Sequence, residues 1–148
     1  MTTNTMEQFI ANWTPPIKEP VEPKTRQVIK EGDILVAQWG YEANNVNYFK
    51  VLKRTAKFVV VAELNTEYVS GETGIYDGVY VQPGTTWKNW SLWADRDAVT
   101  RERTTDGQPI TMRRKVQSYP NQDEYALLCS YAHMYLWNGQ PQVDYNHH

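Results

Sequence analysis

Cys129 and His133 come nearest to a reactive pair in this chain. On a helix, residues four apart share a face, which would set a thiol beside an imidazole base. On a strand they share a face but lie about 13 Å apart along it. No third group is placed to orient the imidazole, and a free Cys is more often a small core hydrophobe. Asp95 and Asp97 flank Arg96, and residues two apart do not converge on a helix. The other histidines, His147 and His148, form a terminal pair that is native or left from a purification tag. Without clustered His, Cys or carboxylate ligands, no metal site is assigned. The Gly71–Gly74 region lacks the Lys-Ser/Thr and the following helix of a P-loop, and no Rossmann fingerprint is present. No catalytic residue and no cofactor are expected. An enzyme whose site is assembled from distant residues is the remaining alternative.

Binding chemistry is better represented. From Arg96 to Lys115 the chain carries six basic residues and three acids, a local charge of +3 in a chain of net charge −2. The basic residues include Arg96, Arg101, Arg103, Arg113 and Lys115. Trp87, Trp90 and Trp93 lie just upstream, three residues apart, a spacing that suits one helical face or a 3₁₀ turn. A hairpin through Asp106-Gly107 would bring Arg101 and Arg103 near Arg113 and Lys115, where like charges repel unless an anion joins them. These eight residues are the expected partner-binding set. A protein partner, for which Trp, Tyr and Arg are the usual hot-spot residues, is favoured, because the chain's overall acidity weakens non-specific DNA binding. Nucleic acid is the alternative, with arginines on phosphates and tryptophans on bases. The bland possibility is a solvated basic face above a Trp-filled core.

The elements that must position these groups read as strands. Ile34–Trp39, Val46–Leu52 and Phe58–Leu64 are apolar or alternating runs joined by short links, which implies an antiparallel meander. Val79–Val81 reads as a short strand among glycines. Val99–Arg103 and Ile110–Val116 flank the Asp-Gly turn. In the second of these, Ile110, Met112, Arg114 and Val116 share one face, and only Arg114 spoils its apolar character. Glu124–Trp137 alternates as one long strand would, although Leu128, Ala132 and Leu136 also fit helical spacing. Pro15, Pro16, Pro20 and Pro23 make residues 14–23 an extended, polyproline-like arm. The expected fold is mainly β: a small antiparallel meander or SH3-like barrel of about six strands, with an N-terminal Pro-rich arm. Residues 1–29 form the N-terminal segment and 30–146 a single domain.

Composition agrees with one globular domain. The 148 residues are 41% hydrophobic and 22% charged, enough apolar material for a core. Aromatics reach 13%, with six Trp and ten Tyr, and such side chains serve both strands and recognition. A single Cys excludes an intrachain disulfide framework, which fits a reducing, cytoplasmic setting. No apolar run is long enough to span a bilayer, and the N-terminus does not read as a secretory signal.

The block Gly32-Asp-Ile-Leu-Val-Ala-Gln-Trp-Gly-Tyr41, followed by Asn45-Val-Asn-Tyr-Phe-Lys-Val51, resembles a pattern of small uncharacterised phage and mobile-element proteins. In that pattern a G-D-I strand ends in W-G-Y and an N-V-x-[FY]-[FY]-x-V strand follows. Arg114–Gln117 and Ser130–Gly139 look like its later landmarks, so about half the chain is covered. The Trp87–Trp93 stretch falls outside the pattern. The resemblance carries over no catalytic residue. It implies an accessory protein inside a bacterial cell, acting by protein–protein contact and blocking a host defence factor. Homo-oligomerisation through the N-terminal arm is a further expectation.

Overall fold

The computed structural model describes residues 26–41, 43–74, 78–89, 91–93 and 109–145, and no helix occurs among them. The strands are β1 (Ile34–Trp39), β2 (Asn45–Arg54), β3 (Phe58–Val69), β4 (Val79–Trp87), β5 (Thr111–Gln117), β6 (Tyr125–Cys129), β7 (Ala132–Leu136) and β8 (Gln142–Asp144). Pairing follows chain order with one excursion. β1 pairs with β2, β2 with β3, β3 with β5, β5 with β6 and β6 with β7, and β7 returns to β1, all antiparallel. The result is a six-stranded meander closed into a barrel, which leaves none of these strands with an unpaired flank along its whole length.

Alternation decides what fills the barrel. Leu35 and Ala37, Phe49 and Val51, Val59 and Val61, Met112 and Val116, Ala126 and Leu128, and Ala132 and Met134 form one buried cluster. They are the inward residues of the six strands. Each buried side chain of this kind contributes roughly 1.5–3 kcal/mol relative to exposure.

The outer wall is treated unequally. The far half of β3 leaves the barrel, pairs with β4 after a register shift between Leu64 and Thr66, and β4 carries β8. A bridge from Asn44 to Tyr145 ties the end of β8 to the start of β2. This β4–β8 flap buries outward residues of β1, β2 and β3 in a second cluster: Val36, Val46, Tyr48 and Leu64 with Val81, against which Ile34, Trp87 and Trp137 pack. The outward face of β5, β6 and β7 takes no part in that cluster.

Two polar networks occupy opposite ends of the barrel. At one end Glu63, only 3% exposed, continues the inward face of β3. Its carboxylate accepts hydrogen bonds from Ser91 Oγ (2.7 Å) and Asn47 Nδ2 (2.8 Å) and lies 2.9 Å from Lys88 Nζ. Asn47 in turn accepts the Trp39 indole N–H at 2.6 Å. At the other end a bulge in β2 between Val51 and Lys53 changes its parity, so that Arg54 lies opposite inward Val59. Arg54 makes a two-pronged contact with Glu124 (2.9 and 3.1 Å), and Glu124 also accepts the Ile29 N–H at 2.9 Å. Residues 26–30 are thereby fastened across this end, with Ile29 in the core.

Several expectations need correction. Glu124–Trp137 is not one strand: β6 and β7 form a hairpin turning at Ser130-Tyr131. The short strand at Val79–Val81 runs on to Trp87. Trp87 closes a strand and Trp93 lies in a turn, so these two share no helical face. β8 was not foreseen. Val99–Arg103, the Asp106-Gly107 turn and residues 14–23 of the arm lie outside the described residues.

Candidate binding face

The expected partner-binding residues fall in three places. Trp90, Arg96, Arg101 and Arg103 lie outside the described residues. Trp87 is half-buried against the flap cluster, and Trp93, 6% exposed, belongs to the barrel core. Trp93 packs edge-on against Trp39 at 5.1 Å and beside Tyr131 at 6.0 Å, so it plugs the barrel end and offers no open ring face. Its indole N–H has no hydrogen-bond partner. Arg113 and Lys115 stand exposed on the outer face of β5.

The strand neighbours of those two cations supply what the tryptophans do not. Across β3, Lys115 lies opposite Phe58 and Arg113 opposite Val60. The Arg113 guanidinium sits 3.8 Å from the Phe58 ring centroid, a cation–π contact. On the other side, Gln117 of β5 pairs with Tyr125 of β6, Tyr125 with Tyr135 of β7, and Leu127 with His133. The Tyr125 and His133 rings stack at 5.1 Å and 26°, and Tyr125 and Tyr135 lie 5.4 Å apart at 30°. Tyr135 is 51% exposed.

This face therefore carries two cations, a histidine and three aromatic rings across four strands. No described carboxylate shares it. Glu63 and Glu124 are inside the barrel ends. Asp33 and Asp123 accept backbone N–H groups of the 26–30 segment, and Asp144 accepts that of Val46. Sequence reasoning placed Arg113 and Lys115 on one face but missed their aromatic neighbours. The signal was present: Tyr125, Leu127, His133 and Tyr135 all fall at odd positions, opposite to the small and aliphatic even ones.

Arg114, the residue that broke the alternation, is inward. Its guanidinium donates to the carbonyls of Leu128, Trp93 and Arg113, tying the 91–93 turn to β5 and β6. Cys129 and His133 are not cross-strand partners. Leu127, not Cys129, lies opposite His133, whose Nδ1 is 3.4 Å from Tyr135 Oη. Tyr131, beside Cys129, has its hydroxyl pKa pushed up by desolvation and by the Cys129 thiol. A cleft of about 540 Å³ lies between residues 26–30 and Leu136–Trp137. Its Arg26 is engaged by Ser118 and by the Tyr119 carbonyl, and its Asp33 by the Lys30 N–H. Among the described residues there is no group of three or more potential metal ligands, and no helix is long and apolar enough to cross a membrane. No family model, no curated protein and no solved structure matches this chain.

Proposed function

We propose that this chain is a non-catalytic binding protein that engages an anionic macromolecule with the outer face of β5, β6 and β7. One observation carries the reading: Arg113 and Lys115 stand exposed among Phe58, Tyr125, His133 and Tyr135, with no described carboxylate beside them. Packing alone gives no reason to keep such side chains together, because like charges on neighbouring positions repel. Exposed Tyr and Arg are the residue types that carry binding energy in protein interfaces. With the resemblance of the β1–β2 block to phage and mobile-element proteins, this supports an accessory protein docked on an acidic surface of a host protein, such as a defence factor. The stacked rings support a second reading, in which the anion is nucleic acid.

A polyanion column tests the shared core of both. Wild-type protein is compared on immobilised heparin with Arg113→Glu/Lys115→Glu. A control, Lys30→Glu/Ser70→Glu/Thr85→Glu, makes the same charge change at exposed residues of the lead-in segment and the flap. The face variant should elute at clearly lower salt than the control. Equal shifts would mean that net charge, not this face, governs binding, and the proposal would fall.

A further inference from the structure

Resting on the reading that this face engages an anionic macromolecule, we infer that the anion is single-stranded nucleic acid, with bases stacking on the open side of the Tyr125–His133–Tyr135 ring cluster and phosphates meeting Arg113 and Lys115.

Three features separate this from an acidic protein surface. The first is ring geometry. An acidic polypeptide gains from rings by the area they bury, whatever their mutual angle. Here Tyr125 is stacked on His133 at 26° and lies at 30° to Tyr135. His133 and Tyr135 are themselves 6.2 Å apart at 56°, so the rings form a cluster, and a base, a flat π-surface, gains by stacking on its open ring faces, Tyr135 above all, whatever the base's identity. The second is layout. Phe58, Arg113 and Lys115, Tyr125, and His133 and Tyr135 sit on β3, β5, β6 and β7 in turn. Three strand spacings span about 14 Å. A four-stranded face bearing aromatics is the size that accommodates two or three unstacked bases. The third is chemistry at the edge. The guanidinium over Phe58 keeps its outer plane and its N–H donors for a partner, and an arginine held flat is suited to a base or a phosphate.

Duplex DNA fits less well. Its bases are stacked inside the helix, and no described element of this face is a helix or projecting ribbon that would enter a groove. Single-stranded DNA and RNA share the chemistry that this face reads.

The test is fluorescence anisotropy with a labelled oligothymidylate, at rising salt, on the full chain. With two phosphate contacts the log–log salt slope for a single strand should be about −1.4, so raising salt from about 50 to 200 mM should weaken binding roughly sevenfold. Tyr135→Ala should weaken binding about fivefold or more at fixed salt. Tyr135 is half exposed, so the fold should survive, as circular dichroism would verify. Lys115→Ala should reduce the slope by about 0.7. Poly-glutamate, titrated in parallel, separates the two failures. If it binds with the same sensitivity to Arg113 and Lys115 while the oligonucleotide does not bind, the anionic face stands and the nucleic-acid inference is overturned. If neither binds, both are overturned. Oligonucleotide binding indifferent to Tyr135→Ala would also overturn the inference, because the ring cluster would have no part in it.

Discussion

Tyr48 should make this protein lose stability at alkaline pH by an amount its phenol alone explains. Tyr48 points outward from β2, is fully buried beneath the flap, and donates from Oη to the Val81 carbonyl at 2.9 Å. Burial, with Asp144 nearby, outweighs a favourable contact with the Gln142 backbone and pushes its pKa from 10.0 up to about 12. The raised value fixes the sign. Below pH 10 both folded and unfolded forms are protonated and the contribution is complete. Between pH 10 and 12 the unfolded chain releases this proton while the folded one keeps it, so stability falls as pH rises. Linkage gives a loss of about 1.4 kcal/mol by pH 11, and about 2–3 kcal/mol at most. Tyr48→Phe removes the titration. At neutral pH it should cost about 1–2 kcal/mol, since it removes a buried hydrogen bond to the Val81 carbonyl. The two proteins should therefore converge near pH 11. Urea unfolding of both at pH 7, 9, 10 and 11 measures this. The other tyrosines are common to both proteins and drop out of the difference. A difference that stays constant from pH 7 to 11 would refute the reasoning.

The opposite end of the pH scale tests Glu124. Burial raises its carboxyl pKa, but the Arg54 guanidinium and the Ile29 N–H more than offset this and hold it below the usual carboxylate range. Its contribution is complete above about pH 4.5 and is lost as pH falls through the lowered folded value. Arg54→Met would strand a buried charge, cost about 3–5 kcal/mol at pH 7, and cost less at pH 3, as acid and neutral urea melts would show. Gly84→Ala tests the flap backbone: an added Cβ would meet the Asn65 carbonyl oxygen at 2.7 Å. Strand β4 would have to move, and thermal unfolding should register a loss of about 1–3 kcal/mol.

The barrel wall was legible where alternation coincided with strong turn chemistry. Ile34–Trp39, Val46–Leu52 and Phe58–Leu64 follow one another across short polar links, and each pairs with the next. The β6–β7 hairpin was not legible, for a definable reason. Its turn, Ser130-Tyr131, has no Gly, Pro, Asn or Asp, and a lone Ser marks a turn only weakly. The register shift between Leu127 and Cys129 also makes Cys129 pair with Ala132. That extra residue preserves parity through the hairpin. Ala126 and Leu128 before the turn, and Ala132 and Met134 after it, are all even-numbered and all inward. The pattern thus reads as one uninterrupted strand. Glu63 shows a different limit. A carboxylate in the most apolar strand was visible, but its partners Asn47, Lys88 and Ser91 come from two other segments that only the closed fold brings to it.

The binding face was half legible because its cations are local in sequence and its rings are not. Overall acidity weakens non-specific binding to nucleic acid only if charge is spread evenly. The fold sorts it. The described acids are Glu63 and Glu124 inside the barrel ends, Glu31, Asp33 and Asp123 near the lead-in segment, Glu67 and Glu72 on the far part of β3 and its loop, and Asp144 on the flap. The outward positions of β5, β6 and β7 receive none. At about 0.15 M salt a charge is screened beyond roughly 8 Å. An approaching anion therefore meets Arg113 and Lys115 rather than the chain's net −2. The same sorting appears in the apolar residues. Outward Val36, Tyr48 and Leu64 lie where the flap covers them, and outward Tyr125, His133 and Tyr135 lie where it does not. Each of these three rings has a polar atom that tolerates water, which lets the face stay uncovered in the free protein and would let it bury rings against the proposed partner.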